Sequence, residues 1–294
     1  MEIIEKCPIC NHSLFDTFLT CEDSLLSHEH FELKKCQSCT FVFTSPRPDA
    51  ASLPNYYKSD QYISHTGKST SLLDWIYLFA RHFTLQWKIS LIKKYRQKIT
   101  LLDYGCGTGE FLRSGKEEGW QIAGLEPTAD ARKKATEITG INIASDLSQF
   151  NNQQFDVITL WHVLEHVMDL KSTIYQLKSL LREDGFFLIA VPNHQSYDAF
   201  FYQESWAAYD VPRHLWHFTR ITMTALLHSL GLKIKAIEPM KLDAYYVSLL
   251  SEKYTSKNKG SYLSLFKGVT RGFQSNRKAK STMDYSSLIY IVTP

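Results

Sequence analysis

The chain has 294 residues, 44% of them hydrophobic and 21% charged, which is ordinary for a folded globular protein and leaves room for one large and one small domain. Its formal net charge of +3 is too small to indicate nucleic-acid binding by itself. No apolar run approaches the roughly 20 residues that cross a bilayer, and residues 1–6 lack the basic and apolar regions of a signal peptide, so we expect a cytoplasmic protein without a membrane span.

The N-terminal segment contains two C-x-x-C units, Cys7 with Cys10 and Cys36 with Cys39. Four thiolates at this spacing can close a tetrahedral Zn²⁺ site, and a hairpin accommodates the interval between the two units. A redox C-x-x-C and free thiols are the alternatives, and the doubled motif disfavours both. Because a closed Cys₄ site has no open position, we predict structural zinc in a zinc-ribbon-like domain over residues 1–48.

Residues 49–98 are predicted to form a linker and a helical cap. The linker is rich in tyrosine, at Tyr56, Tyr57 and Tyr62, and either covers the active site or is an exposed connector packed by its aromatic rings. Apolar residues recur at helical spacing over 71–97, and basic residues near the end of that run suit a helix C-terminus.

Residues 101–112 predict a short buried strand, a tight glycine turn and the start of a helix. Gly105, Gly107 and Gly109 let the backbone lie close to a ligand, and the free N–H groups of the helix N-terminus point at it. The dinucleotide fingerprint is G-x-G-x-x-G, whereas this turn is G-x-G-x-G with Asp103 before the first glycine. A carboxylate there disfavours a pyrophosphate and favours a cationic ligand.

The turn resembles motif I of the class I S-adenosyl-L-methionine (SAM) methyltransferases. The ammonium and sulfonium groups of SAM are cationic and suit Asp103. The resemblance implies a cofactor-binding turn made of Asp103, Tyr104, Gly105, Cys106, Gly107 and Gly109.

The second predicted strand, 120–126, ends in Glu126, which is followed by Pro127. In this fold class an acid about 20 residues beyond the glycines hydrogen-bonds the ribose hydroxyls, so we predict that role for Glu126 and include Pro127 in the cofactor site. A solvated strand-end carboxylate is the alternative. Asp146 follows the third predicted strand and either accepts the adenine amino group or caps a turn.

The fourth predicted strand, 155–160, leads into Trp161 and a loop in which His162, Glu165 and His166 match the H-x-x-E-H pattern of some metalloproteases. That protease pattern requires a helix, whereas these residues follow the carboxyl end of a strand, where open α/β sheets bind ligands. The loop instead resembles the V-L-E-H loop after strand four of the methyltransferases. This resemblance implies that Trp161 and His162 flank SAM and that His166 faces the substrate.

Strands and helices alternate from 101 to about 193, which predicts a mainly parallel, doubly wound sheet. The third strand is predicted at 141–144. A turn at 184–185 is predicted to precede the fifth strand at 186–193, and the last two strands are predicted at 232–239 and 287–293, the final one reversed. The order of the elements and the motifs resembles the class I SAM methyltransferases. We therefore expect an α/β protein with a Rossmann-like seven-stranded methyltransferase sheet over 99–294 and a small N-terminal zinc ribbon.

An aromatic insertion follows the fifth strand at 206–219. Within it, His214 or His217 suits a general base, and Arg213 suits a phosphate or carboxylate; a helix cap with packed aromatics is the alternative. The run 210–219 resembles a segment of bacterial methyltransferases that also carry N-terminal C-x-x-C pairs and are often linked to sugar or surface-polysaccharide metabolism.

We thus expect a SAM-dependent methyltransferase that methylates O, N or C of a small or carbohydrate-like acceptor by in-line SN2 transfer. His166, His214 and His217 are the candidate catalytic residues. Two alternatives stay open. One is a ribosomal RNA methyltransferase that uses the zinc ribbon on RNA, which the mild net charge disfavours and a basic C-terminal tract over 253–280 favours. The other is a non-catalytic SAM-binding interaction module. The sequence indicates no oligomeric state.

Overall fold

The computed structural model describes residues 1–57, 72–151, 153–255 and 262–294. Tyr62 of the predicted linker lies outside these ranges, and so do residues 256–261 of the basic C-terminal tract. None of the helices in the described part of the chain combines the length and the hydropathy that crossing a membrane requires.

Ten strands and eight α-helices make up the described part. The strands are β1 (Phe15–Glu22), β2 (His30–Cys36), β3 (Val42–Thr44), β4 (Thr100–Tyr104), β5 (Gln121–Leu125), β6 (Phe155–Trp161), β7 (Leu181–Pro192), β8 (Trp216–His217), β9 (Lys233–Pro239) and β10 (Ser287–Thr293). The helices are α1 (Leu72–Lys93), α2 (Glu110–Glu117), α3 (Ala129–Thr139), α4 (Leu170–Ser179), α5 (Tyr197–Tyr202), α6 (Arg220–Ser229), α7 (Asp243–Thr255) and α8 (Tyr262–Thr282).

The larger sheet has six strands in the order β5-β4-β6-β7-β10-β9. The first four are parallel to one another, and β10 runs antiparallel to both β7 and β9. The central strand β6 is buried along nearly its whole length, as a strand covered on both faces must be. The predicted α/β class and the reversed final strand are confirmed.

The predicted count of seven strands is wrong for the described residues, because 141–144 forms a single bridge from Ala144 to Leu125. Ala144 donates its N–H to the Gly124 carbonyl and accepts from the Glu126 N–H, both at 2.9 Å. The chain then turns into a 3-10 turn at Leu147–Phe150. The segment between α3 and that turn therefore pairs with β5 at one residue only.

Strand β7 is longer than predicted, since 184–185 belongs to the strand and is not a turn that precedes it. Phe155 pairs with Leu181 and Val157 with Phe186, so β7 carries extra residues opposite a short interval of β6. The register between the two strands shifts at this point, within an extended segment where a turn was expected.

The second sheet has the order β1-β2-β3-β8 and is antiparallel. Its last strand comes from the aromatic insertion: Trp216 pairs with Phe43, and His217 pairs with Val42. Phe41 stacks on Trp216 with ring centroids 6.1 Å apart. The N-terminal ribbon is therefore joined to the segment that follows β7 through backbone pairing and a shared aromatic core.

Candidate functional site

The glycine turn joins β4 to α2 with three left-handed glycines, at φ +74° for Gly105, +55° for Gly107 and +85° for Gly109. A Cβ on Gly105 would lie 2.6 Å from Val163, and one on Gly109 would lie 2.9 Å from the Ala135 backbone. A Cβ on Gly107 would meet nothing within 4 Å. Gly105 and Gly109 therefore allow close packing, whereas Gly107 borders open space at the N-terminus of α2.

Asp103 lies in β4, two residues before the turn, and is only 3% exposed. Its Oδ1 accepts a hydrogen bond from the Thr159 hydroxyl at 2.6 Å. Burial raises the pKa of Asp103 to about 7, although the hydrogen bond from Thr159 and the charge of Lys88 oppose that rise. The site thus holds a carboxyl group that gains its charge near neutral pH, and a cationic ligand would favour the charged form.

Glu126 follows β5 and is 8% exposed. Its Oε2 accepts the Gly107 N–H and its Oε1 accepts the Thr128 N–H, both at 2.9 Å. A carboxylate has about four lone-pair sites, so hydrogen-bonding capacity remains for a ligand. The structure thus brings Asp103, the glycine turn and Glu126 together at the carboxyl ends of β4 and β5.

The remaining cofactor residues predicted near the turn have mainly structural contacts. Burial raises the pKa values of the Tyr104 phenol and of the Cys106 thiol. The Pro127 carbonyl accepts from Arg132 at 2.8 Å. Asp146 is exposed and accepts the Ser148 N–H at 3.0 Å, capping a 3-10 turn, so the described contacts match the turn-capping alternative.

His162 is held between two carboxylates just beyond the end of β6. Its Nε2 lies 2.9 Å from Asp243 and its Nδ1 lies 3.3 Å from Glu165. Burial lowers the pKa of His162, but these carboxylates outweigh burial and raise it to about 10. The backbone of His162 is left-handed, with φ +57°. The residue is thus a fixed imidazolium beside the predicted cofactor site.

Two charged residues that the sequence patterns miss also belong to this region. Lys88 of α1 places its Nζ 4.2 Å from the centroid of the Trp161 ring, and burial lowers the pKa of Lys88 to about 8. Asp243 begins α7 and is the partner of His162. Neither lies in a motif, because α1 and α7 reach the site only through tertiary folding.

His166 and His214 are brought together, with ring centroids 4.5 Å apart. Nδ1 of His166 lies 3.0 Å from the Tyr57 hydroxyl and 3.1 Å from the Arg213 carbonyl. Nδ1 of His214 lies 2.8 Å from the Ala208 carbonyl. Burial and the neighbouring His214 lower the pKa of His166 to about 4, so the His166 ring is neutral at pH 7.

The two other predicted substrate-side residues are engaged within the protein. His217 is buried, with Nε2 3.1 Å from the Thr44 hydroxyl, and burial holds its pKa well below the ordinary value. Arg213 is 1% exposed and donates to Asp23 at 2.8 Å and to Asp210 at 2.7 Å. The predicted anion-binding role of Arg213 is therefore wrong, because its guanidinium binds two internal carboxylates.

The four predicted metal-binding cysteines converge, with every Sγ within 4.8 Å of the others. Cys7 lies 3.4 Å from Cys39 and Cys10 lies 3.5 Å from Cys36. One residue after each C-x-x-C unit has a left-handed backbone, namely Asn11 and Thr40. Four sulfur donors at this separation fit a tetrahedral zinc ion with no open position.

The residues at the glycine turn also fit SAM. Open space borders Gly107, and buried carboxyl groups lie beside it at Asp103 and Glu126. Among the described residues, the buried Trp161 Nε1 lacks a hydrogen-bond partner and offers a donor to a ligand.

Comparisons with known proteins agree with this geometry. A family model described as a methyltransferase domain matches residues 77–237. The ubiquinone biosynthesis O-methyltransferase of Serratia proteamaculans (strain 568) is 35% identical over 107 residues, which cover 33% of this chain and 44% of that protein. The chain thus spans less than half the length of this relative.

Two solved structures share the fold at low sequence identity. The cyclopropane synthase MmaA2 from Mycobacterium tuberculosis is 13% identical, with a TM-score of 0.53 over 85% of this chain and 100% of that one. The magnesium protoporphyrin IX methyltransferase from Synechocystis PCC 6803, solved with bound SAH, is 11% identical, with a TM-score of 0.53 over 84% and 100%.

Proposed function

The chain belongs to the family of methyltransferase domains, and from this membership we propose that it is a SAM-dependent methyltransferase that methylates an oxygen atom of a small-molecule acceptor. The observation that carries the proposal is the hydrogen bond from the Gly107 N–H to Glu126 Oε2. This bond ties the glycine turn to the acid of the neighbouring strand, beside the buried Asp103.

Each acidic residue has a separate role in the proposal. Asp103 binds the cationic methionine end of SAM, since its buried carboxylate gains most from a positive partner. Glu126 accepts hydrogen bonds from the ribose hydroxyls with the lone pairs that its two backbone donors leave over. Trp161 and His162 border the cofactor from the end of β6.

The reaction requires an acceptor oxygen that is aligned with the methyl group and a base that takes up the hydroxyl proton. SAM supplies a methyl group on a positively charged sulfur. The acceptor oxygen attacks the methyl carbon in line, the C–S bond breaks with its electron pair left on sulfur, and the hydroxyl proton passes to a base. His166 and His214 are the proposed bases, and holding the reactants in line supplies much of the rate.

An oxygen acceptor is favoured by the relative from Serratia proteamaculans, which is named as an O-methyltransferase. The aromatic surroundings, including Trp161 and Tyr57, suit a planar phenol, whereas the insertion after β7 led us to expect a carbohydrate-like acceptor. The acceptors to be tested are therefore small molecules with phenolic hydroxyls and small molecules with carbohydrate hydroxyls.

We also propose that the Cys₄ cluster binds zinc for a structural purpose, because its four sulfur donors complete the coordination of the ion and leave none for a substrate.

The acceptor proposal is tested with SAM that carries a ¹³C-methyl group and with two panels, phenols with vicinal hydroxyls and nucleotide sugars. We expect the label on oxygen, read by NMR from the product's methyl shift, and no product from Asp103→Ala. A label on nitrogen or carbon alone would overturn the proposed acceptor atom. Absence of SAM binding to the folded protein would overturn the function.

A further inference from the structure

A second cluster of metal-ligating side chains lies away from the cysteines. Glu165, His166 and His214 each offer one ligand atom within 4.8 Å of the other two. The first two residues belong to a 3-10 turn after β6, and His214 precedes β8. The Leu215 N–H donates to the Glu165 carbonyl at 2.8 Å, so backbone bonding fixes the two segments to each other.

The Glu165 carboxylate has an unsatisfied oxygen. The residue is 0% exposed, and its Oε2 has no hydrogen-bond partner among the described residues. Its Oε1 is 3.3 Å from His162 Nδ1. A buried polar atom without a hydrogen-bond partner destabilises the folded protein, and more so when the group is charged. A cation bound at Oε2 would remove that destabilisation.

Both imidazoles are oriented by backbone carbonyls. His214 Nδ1 lies 2.8 Å from the Ala208 carbonyl, and His166 Nδ1 lies 3.1 Å from the Arg213 carbonyl. A carbonyl accepts only from an N–H, so these contacts place the ring protons on Nδ1 and leave the Nε2 lone pairs available. Histidines that bind metals are commonly held in this way through the other ring nitrogen.

We propose that Glu165, His166 and His214 bind a divalent transition-metal ion, with Zn²⁺ the best match. Two imidazoles and one carboxylate are a donor set of catalytic zinc sites, which keep one position open, in contrast to the closed Cys₄ cluster. Metal–ligand bonds of about 2.0–2.2 Å would hold these three ligand atoms around one ion. Asp210 Oδ2 lies 3.9 Å from His214 Nε2, so its negative charge also favours a cation at that nitrogen.

The role of this ion rests on the proposed function. The cluster adjoins the glycine turn, because Val163 of the same loop packs against Gly105. An ion there would act as a Lewis acid on the acceptor hydroxyl, whose proton passes to solvent water. The oxygen then attacks the methyl carbon, and the C–S bond breaks with its electron pair on sulfur. In the metal-loaded protein His166 and His214 would serve as ligands, and the general-base role proposed for them above would apply only to the metal-free protein.

Metal stoichiometry tests the site independently of methyl transfer. The full chain is stripped with a chelator, reloaded with Zn²⁺, dialysed and measured by mass spectrometry of the metal. We expect two ions per chain in the wild type and one in Glu165→Gln and His214→Ala, with the Kd of the second ion weakened at least about 100-fold. His217→Gln is the matched control and should keep two ions.

Cobalt substitution distinguishes the two sites and reports folding. Thiolate-to-cobalt absorption from the Cys₄ cluster should persist in Glu165→Gln and His214→Ala, while the weaker nitrogen and oxygen signal disappears. One zinc ion per chain in the wild type, or two in both variants, would overturn the proposal.

Failure of the site and failure of the proposed function give different results. Two zinc ions without SAM binding would leave the metal site in place and overturn the methyltransferase proposal. Equal rates of oxygen methylation with and without the second ion would overturn its Lewis-acid role.

Discussion

Asp103 is a buried carboxyl group whose charge depends on pH near neutrality. Burial raises its pKa to about 7 in the absence of a ligand. Below that pKa the carboxyl is neutral and attracts a cation weakly; above it the carboxylate is charged. We therefore expect SAM affinity to rise as pH increases from 6 to 8, with most of the change near pH 7.

Calorimetry across this range checks the expectation, with Asp103→Asn as the control. The variant should bind SAM more weakly and with a flatter pH profile. A wild-type profile that is flat, or that falls with increasing pH, would contradict the role of Asp103 as the charged partner.

Gly107 and Gly109 have different neighbours, and their alanine variants should differ accordingly. In Gly109→Ala the new Cβ collides with the Ala135 backbone, and the left-handed φ adds strain, so we expect a loss of about 3 kcal/mol in the free energy of unfolding. In Gly107→Ala there is strain of about 1 kcal/mol but no collision. Its methyl group instead enters the proposed cofactor space and should weaken SAM binding at least about tenfold.

Urea titration and SAM calorimetry on the two variants separate these effects. Wild-type SAM affinity in Gly107→Ala would show that the open space beside this glycine is not the cofactor site.

Site residues that share a local motif could be predicted from the sequence, whereas site residues that meet only through tertiary folding could not. Asp103 and Glu126 lie at the ends of consecutive predicted strands, so the strand prediction alone places both side chains at one edge of the sheet. Lys88 and Asp243 come from distant helices and carry no motif. Of the two carboxylates that bind Arg213, Asp210 lies three positions away, whereas nothing in the sequence indicates Asp23, which lies 190 positions away.

At the scale of elements, β8 makes the N-terminal ribbon depend on the insertion after β7. The Thr44 N–H donates to the Leu215 carbonyl at 3.0 Å, and Trp216 Nε1 donates to the Val167 carbonyl at 2.6 Å. Destabilising the N-terminal ribbon should therefore also destabilise β8, although β8 lies far from the ribbon in sequence.

Removal of zinc tests this coupling. A structural zinc ion contributes directly to folding free energy, so we expect a chelator to lower Tm by about 10 °C and to speed amide exchange at Leu215 and Trp216 as well as in residues 1–44. Cys10→Ser should resemble the chelated wild type. Cys21→Ala is the control, because Cys21 is a buried cysteine outside the cluster and its variant should still respond to the chelator. Faster exchange confined to residues 1–44 would contradict the coupling.

Two element boundaries differ from those that the sequence pattern predicts. The apolar run at 141–144 has the composition of a strand, but it makes a single bridge to β5 before the turn capped by Asp146 begins. Asp184 and Gly185 have turn-like composition, yet they belong to β7, at the point where its register with β6 shifts. Both differences arise from tertiary pairing, which local composition does not encode.

For the whole molecule, the regular alternation of strands and helices predicted the α/β class, since each apolar strand followed by an amphipathic helix admits few other folds. The pairing of the insertion with the N-terminal ribbon through Trp216 and His217 was not predicted, because a two-residue strand has no periodicity to detect. The same segment carries His214, so the ribbon, the insertion and the candidate site form one connected unit.

The measurement that tests the central claim most directly is calorimetric titration of the folded, zinc-loaded protein with SAM and with S-adenosylhomocysteine. We predict a Kd of about 1 μM for the wild type and at least about 100-fold weaker binding for Asp103→Ala and Glu126→Ala. Asp156→Asn is the matched control: Asp156 is equally buried, but it lies at the opposite end of the sheet and accepts from Thr100, so affinity should be unchanged. Absence of binding in the wild type, or unchanged binding in both alanine variants, would contradict the account.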